Sequence, residues 1–251
     1  MLLDTATILA IAGTFLVAGT VKGVVGLGLP AISLALLAVA LDLTNAMAVL
    51  LVPSFATNIW QATAGGHGRV LLRRIWPFLL AAAATVLLGA SALTRVELSL
   101  LTALLGLLLL AYGAASLAGQ RFRLEARHER WVGALAGLVN GVLTGMTGSF
   151  AVPGVMFLQA LGLPRDALIQ AMGMLFAVST LALGFALQAN HLLRPEHGVV
   201  STLALLPAMA GMAIGQRIRN RLSERLFRKI FFLSLLALGA YLASQAFGAL
   251  Q

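Results

Sequence analysis

The chain has 251 residues, of which 60% are hydrophobic and only 10% charged; it carries a net charge of +9 and no cysteine. A soluble domain has about 25% charged residues, and a mean hydropathy of +0.98 leaves too little polar surface to face water. The chain therefore reads as an all-α polytopic membrane protein, and it can form neither disulfides nor Cys-ligated metal sites.

Hydropathy divides the chain into ten segments, five in each half. The first half gives 5–22, 30–41, 44–64, 75–93 and 96–118. The second gives 131–144, 150–161, 166–189, 199–214 and 228–247. A span needs about 20 apolar residues, so 30–41 and 150–161 are expected to be short half-helices. The expected organisation is one transmembrane domain over 1–251: repeat one at 1–118, a cytoplasmic loop at 119–130, and repeat two at 131–251. Asp4, with no basic stretch before the first apolar run, argues against a cleaved leader.

Each short segment follows a glycine-spaced break ending in proline. The first reads Lys22-Gly-Val-Val-Gly-Leu-Gly-Leu-Pro30 and the second Asn140-Gly-Val-Leu-Thr-Gly-Met-Thr-Gly-Ser-Phe-Ala-Val-Pro153. Paired interruptions at matching places in two halves point to a transporter's substrate site. The order of features continues the repeat: Asn45-Ala-Met47 and Gln170-Ala-Met172 open the long third segments, and Ser54 and Ser179 follow at equal offsets.

Charge sets the orientation. The stretches 65–74, 120–130 and 217–229 hold Arg69, Arg73, Arg74, Arg121, Arg123, Arg127, Arg130, Arg217, Arg219, Arg221, Arg225, Arg228 and Lys229. The loops at 94–97 and 190–197 each pair one Arg with one Glu. Basic loops stay in the cytoplasm, so the two halves are expected to be inverted relative to each other, with both termini on the far side. Basic residues confined to short loops orient helices and give no nucleic-acid surface.

An anion site is expected at the breaks. Backbone there would aim free N–H groups and positive helix ends into a cavity, with Gly26, Gly28, Pro30, Gly145, Gly148 and Pro153 forming the two turns. Lys22 would supply positive charge; its expected repeat partner is Asn140. Asn140, Thr144, Thr147, Ser149, Asn58 and Gln61 are neutral hydrogen-bonding groups suited to an oxyanion. The same glycines would also let helices pack closely, and Lys22 at a segment end would also snorkel to the interface. His67, His128, His191 and His197 show no metal-ligand spacing, and no cofactor motif is present. Ser149 lacks an apolar-segment histidine to activate it as a nucleophile. An anion channel is the alternative to a transporter, and an intramembrane enzyme a more distant one.

The two breaks, together with Pro53, Asn58, Gln61 and the Leu163-Pro-Arg-Asp166 turn, resemble the sulfite exporter TauE/SafE family, also called the toluene-sulfonate uptake permease group. Many of its members carry a run such as Gly-Gly-Gly where this chain reads Gly26-Leu-Gly-Leu-Pro30. The resemblance implies a bacterial inner-membrane transporter for small sulfur-containing anions: sulfite, thiosulfate, sulfoacetate or another organosulfonate. The partners so implied are that anion and the lipid bilayer. Neither a coupling ion nor an oligomeric state follows from the sequence.

Overall fold

The computed structural model describes residues 4–26, 28–119, 123–150, 152–219 and 224–249. The chain ends, Leu27, Ala151, Arg121 and Arg221, all used in the sequence reading, lie outside the described residues. Among the described residues ten α-helices follow one another: α1 (Thr5–Val25), α2 (Leu29–Ala40), α3 (Leu43–Thr63), α4 (Gly68–Ala90), α5 (Leu98–Leu117), α6 (Glu129–Thr147), α7 (Gly154–Ala160), α8 (Arg165–Ala189), α9 (Pro195–Arg219) and α10 (Glu224–Ala249). No strand occurs among the described residues. Six helices (α1, α3, α4, α5, α8 and α9) are long and apolar enough to span a bilayer. Large apolar side chains such as Leu9, Leu80, Trp131, Phe185 and Leu206 face outward, as lipid-facing residues do.

Several boundaries differ from the hydropathy reading, for one reason. Hydropathy ends a segment where charge begins, whereas a helix continues through charge once it has left the apolar layer. Thus α4 starts at Gly68 and carries Arg69, Arg73 and Arg74 in its first turns, and α10 starts at Glu224 and carries Arg225, Arg228 and Lys229. The seventh helix is shorter than its apolar run, because Phe150, Val152 and Pro153 are not helical and α7 begins only at Gly154.

The helices pair α1 with α9, α4 with α6, α3 with α8, and α5 with α10. Glycine makes the first two pairings close. A methyl placed on Gly23 would lie 2.3 Å from the Met212 carbonyl oxygen, and one on Gly145 would lie 2.2 Å from that of Val86. A methyl on Gly215 would meet the Thr20 oxygen at 2.1 Å, and one on Gly89 the Val142 oxygen at 2.0 Å. A methyl on Gly211 would meet the Leu16 oxygen at 2.1 Å; at the corresponding place Thr85 Oγ1 donates to the Leu138 carbonyl at 2.9 Å. One backbone-to-backbone crossing is therefore built twice, from α1 and α9 and again from α6 and α4.

These contacts also give directions. Residue numbers rise together along α1 and α9, along α4 and α6, and along α3 and α9, where Asn45 meets His197 and Val49 meets Ser201. They run oppositely along α3 and α8, where Gln61 meets Ile169, Ser54 meets Thr180 and Leu51 meets Gly184. One end of the bundle gathers the turn at Gly65, the start of α8 and Gln216. Arg74 joins that end by bonding Glu129 and the Leu161 carbonyl. Those are the basic stretches of the sequence. Helices α1, α3 and α9 run toward this basic end, and α4 and α8 run away from it.

Pro53 lies inside α3 and cannot donate to the Val49 carbonyl four residues back. Ser201 on α9 fills the gap: its hydroxyl donates to Val49 O at 2.8 Å and accepts from the Val52 N–H at 3.0 Å.

Candidate functional site

Both hairpins begin with the same cap. Helix α1 ends on Gly26 (φ 83°, ψ 4°), whose N–H bonds the Lys22 carbonyl. Helix α6 ends on Gly148 (φ 71°, ψ 0°), whose N–H bonds the Thr144 carbonyl. This left-handed turn strains any residue with a Cβ, so glycine is the residue that stops each helix. The cap aligns Lys22 with Thr144, not with Asn140 as the sequence suggested, a shift of one helical turn. It also separates two roles the sequence could not distinguish. Gly23, Gly141 and Gly145 lie inside helices and serve the close crossings, whereas Gly26, Gly28 and Gly148 make the turns.

Lys22 is 4% exposed, so it does not snorkel. Its ammonium donates to Thr57 Oγ1 at 3.0 Å and to Asn58 Oδ1. Asn58 in turn donates to Ser54 Oγ at 2.9 Å, and Ser54 shares a 3.2 Å hydrogen bond with Thr180. Thr57 sits so that its own hydroxyl donates to the Pro53 carbonyl at 2.7 Å, which leaves a lone pair for the lysine. No ion pair joins Lys22 to a carboxylate among the described residues. An ammonium has three donors; two are spent on neutral oxygens.

Lys22 lines a cavity of about 430 Å³ together with Gly23, Gly26, Thr57, Gln61, Trp60, Ile169, Met212, Gln216 and, toward the basic end, Asp166 and Gly65. Gln61 is fixed there by donating to the Ile169 carbonyl at 2.7 Å, and Gln170 ties α8 back to the Ala62 carbonyl and the His67 N–H. Such a volume lies near the lower end of the roughly 300–1,000 Å³ typical of small-molecule sites.

The second hairpin is used differently. Asn140 Oδ1 accepts the Gly154 N–H at 2.9 Å, which caps α7, and its amide reaches Thr144 at 3.4 Å. Thr144 donates to the Ser149 carbonyl at 3.0 Å, and Thr147 accepts the Ser149 N–H at 3.2 Å. Asn140, Thr144 and Thr147 thus brace their own hairpin with their side chains, and Ser149 joins through its backbone. Gly145 packs on α4, Gly148 on Met47 and Leu34, and Pro153 precedes α7.

The two hairpins meet. Gly28, Pro30 and Ala31 from the first and Ser149 and Phe150 from the second enclose a pocket of about 20 Å³ with Tyr112 and Phe176. That is room for about one water molecule. Of the expected site residues, Lys22, Gly26 and Gln61 line the larger cavity, with Asn58 behind Lys22. Gly28, Pro30 and Ser149 line the narrow contact between hairpins. Thr57 was missed by the sequence reading. Its neighbour Asn58 was the signal, since both sit one turn past Pro53 on α3.

No curated protein and no solved structure matches the chain significantly. The family model described as sulfite exporter TauE/SafE matches residues 11–242, which includes both hairpins and every cavity residue named above. On that match the chain belongs to the sulfite exporter TauE/SafE family, a family of membrane transporters.

Proposed function

We propose that the protein is a secondary transporter that carries a small sulfur oxyanion, such as sulfite, thiosulfate, sulfoacetate or another organosulfonate, across a bacterial inner membrane by alternating access. The observation that carries this reading is Lys22. A charged group this deep is costly without a counter-ion, and its neighbours are neutral acceptors. An anion entering the cavity would take the third ammonium donor and serve as the missing counter-ion. Gly26 and Gln61 line the same space.

The two halves are inferred to be inverted repeats over 1–118 and 131–251, joined by a cytoplasmic loop, with both termini periplasmic. The duplicated α1–α9 and α6–α4 crossings support this. The larger cavity is then open to the cytoplasm, and the narrow pocket between hairpins is the constriction behind it. A constriction with room for about one water favours alternating access over a continuous pore.

A thermal-shift series on detergent-purified protein tests the substrate class. Sulfite, thiosulfate, sulfoacetate and taurine are compared with acetate and lactate. Stabilisation by at least one sulfur anion, absent for the carboxylates and lost in Lys22→Met, is the expected result. Equal responses of wild type and variant to every anion would overturn the reading. The topology has its own check in a chain without native cysteine: Val70→Cys should resist an impermeant thiol reagent in intact cells and react in inverted vesicles.

A further inference from the structure

His197 opens α9 at the end of the bundle opposite the cavity, and it is 3% exposed. Its Nδ1 accepts the Arg194 backbone N–H at 3.0 Å, and its Nε2 lies 2.7 Å from Asn45 Oδ1 on α3. Asn45 is fixed in turn by Asp42. The Asn45 backbone N–H donates to Asp42 Oδ1 at 2.8 Å, and its side-chain amide donates to the other carboxylate oxygen. The amide oxygen therefore faces the histidine. An accepting Nδ1 carries no proton, so the ring proton sits on Nε2 and donates to Asn45. Neutral His197 is used at both nitrogens, and with Ser201 one turn further in it forms the outer of two ties between α9 and α3.

We propose that His197 is a proton-binding site that latches the α3–α9 seam: the neutral ring holds that end closed, and a second proton releases it. The second proton goes to Nδ1, where it would face the Arg194 N–H, donor against donor. The ring must then leave its seat, and the Asn45 contact goes with it. The charged and titratable groups at this end are Asp42 capping α3, Asp4 at the start of α1, Arg95 and Glu97 between α4 and α5, His191 and Arg194 in the turn before α9, and Glu196 beside the histidine. The carboxylates offer the freed imidazolium new partners, and Arg194 repels it. Acid on this side thus favours opening of the end that is shut while the Lys22 cavity is open. As a gate the latch rests on the alternating-access reading, but its test needs no substrate, so the two fail separately.

The test measures accessibility. Ala204, buried one turn beyond Ser201, is replaced by cysteine in the otherwise cysteine-free chain. Gly198→Cys on the exposed first turn of α9 corrects for the pH dependence of thiol reactivity. An impermeant methanethiosulfonate reagent is applied to proteoliposomes at about pH 7.5 and about pH 5.5. Histidine changes charge across this range, so corrected labelling at Ala204→Cys should rise severalfold at the lower pH. His197→Gln, which keeps a neutral amide, should abolish the rise, and Asn45→Ala should label at pH 7.5 as the parent does at pH 5.5. No rise in the parent, or an equal rise in a folded His197→Gln protein, overturns the proposal. If His197→Gln does not fold, a parent-like low rate at pH 7.5 in Asn45→Ala overturns it.

Discussion

At the end of α1 the residue whose carbonyl receives the cap N–H is a lysine that reaches across to α3. At the end of α6 it is a threonine that folds back onto its own turn. The backbone frame is shared, down to the left-handed glycine and the carbonyl contacts on the neighbouring helix. The side chains have parted. In the first half Lys22, Asn58 and Ser54 form one hydrogen-bonded line. The corresponding residues of the second half are Thr144, Leu183 and Ser179, and the Ser179 hydroxyl is buried without a hydrogen-bond partner. The first hairpin thus places a charged side chain at an open cavity, while the side chains of the second bond within their own turn.

The largest expected effect separates the two caps by function. Lys22→Met should weaken binding of the stabilising anion by about 10- to 100-fold, the loss of one charge-assisted hydrogen bond worth about 1.5–3 kcal/mol. Thr144→Val should lower the unfolding temperature and leave the dissociation constant unchanged. Isothermal titration and thermal unfolding on both variants decide the matter; a binding defect in Thr144→Val would return the second hairpin to the site.

The next effect tests what the halves share. Gly23→Ala and Gly145→Ala each push a methyl to within 2.3 Å and 2.2 Å of a backbone oxygen on the neighbouring helix, an overpacking cost of about 1–3 kcal/mol. Thermal unfolding should show losses of similar size. A severe loss in one and none in the other would break the equivalence of the crossings.

The smallest effect concerns the orphan hydroxyl. Ser179→Ala removes a buried donor with no acceptor and should raise stability by up to about 1–2 kcal/mol, whereas Ser54→Ala, which strips an acceptor from Asn58, should lower it. A fall in melting temperature for Ser179→Ala would reveal a partner for that hydroxyl and narrow the contrast between the halves.

Segment-by-segment composition determined a good deal by itself. Apolar transfer energy is a local sum, so the membrane class, most helices, the two short ones and the gathering of basic stretches at one end were legible in the chain. So was the place of the hairpins, because glycine followed by proline stops and restarts a helix without help from elsewhere. Family resemblance and the later family match agree for the same reason: both read local pattern along the chain. What the sequence left open was which face of each helix meets which neighbour. Gly23 and Gly26 look alike in a string, yet one is a contact surface and the other a turn, and only the approach of α9 separates them. Asn140 and Thr144 read as ligands in the string, and only the path of their own hairpin shows that they also bond within it. Thr57 and His197 gave little local signal, and their roles exist only because α1 and α9 lie against α3. Pairing of distant helices is a property of shape and register, and the tertiary structure alone decided it.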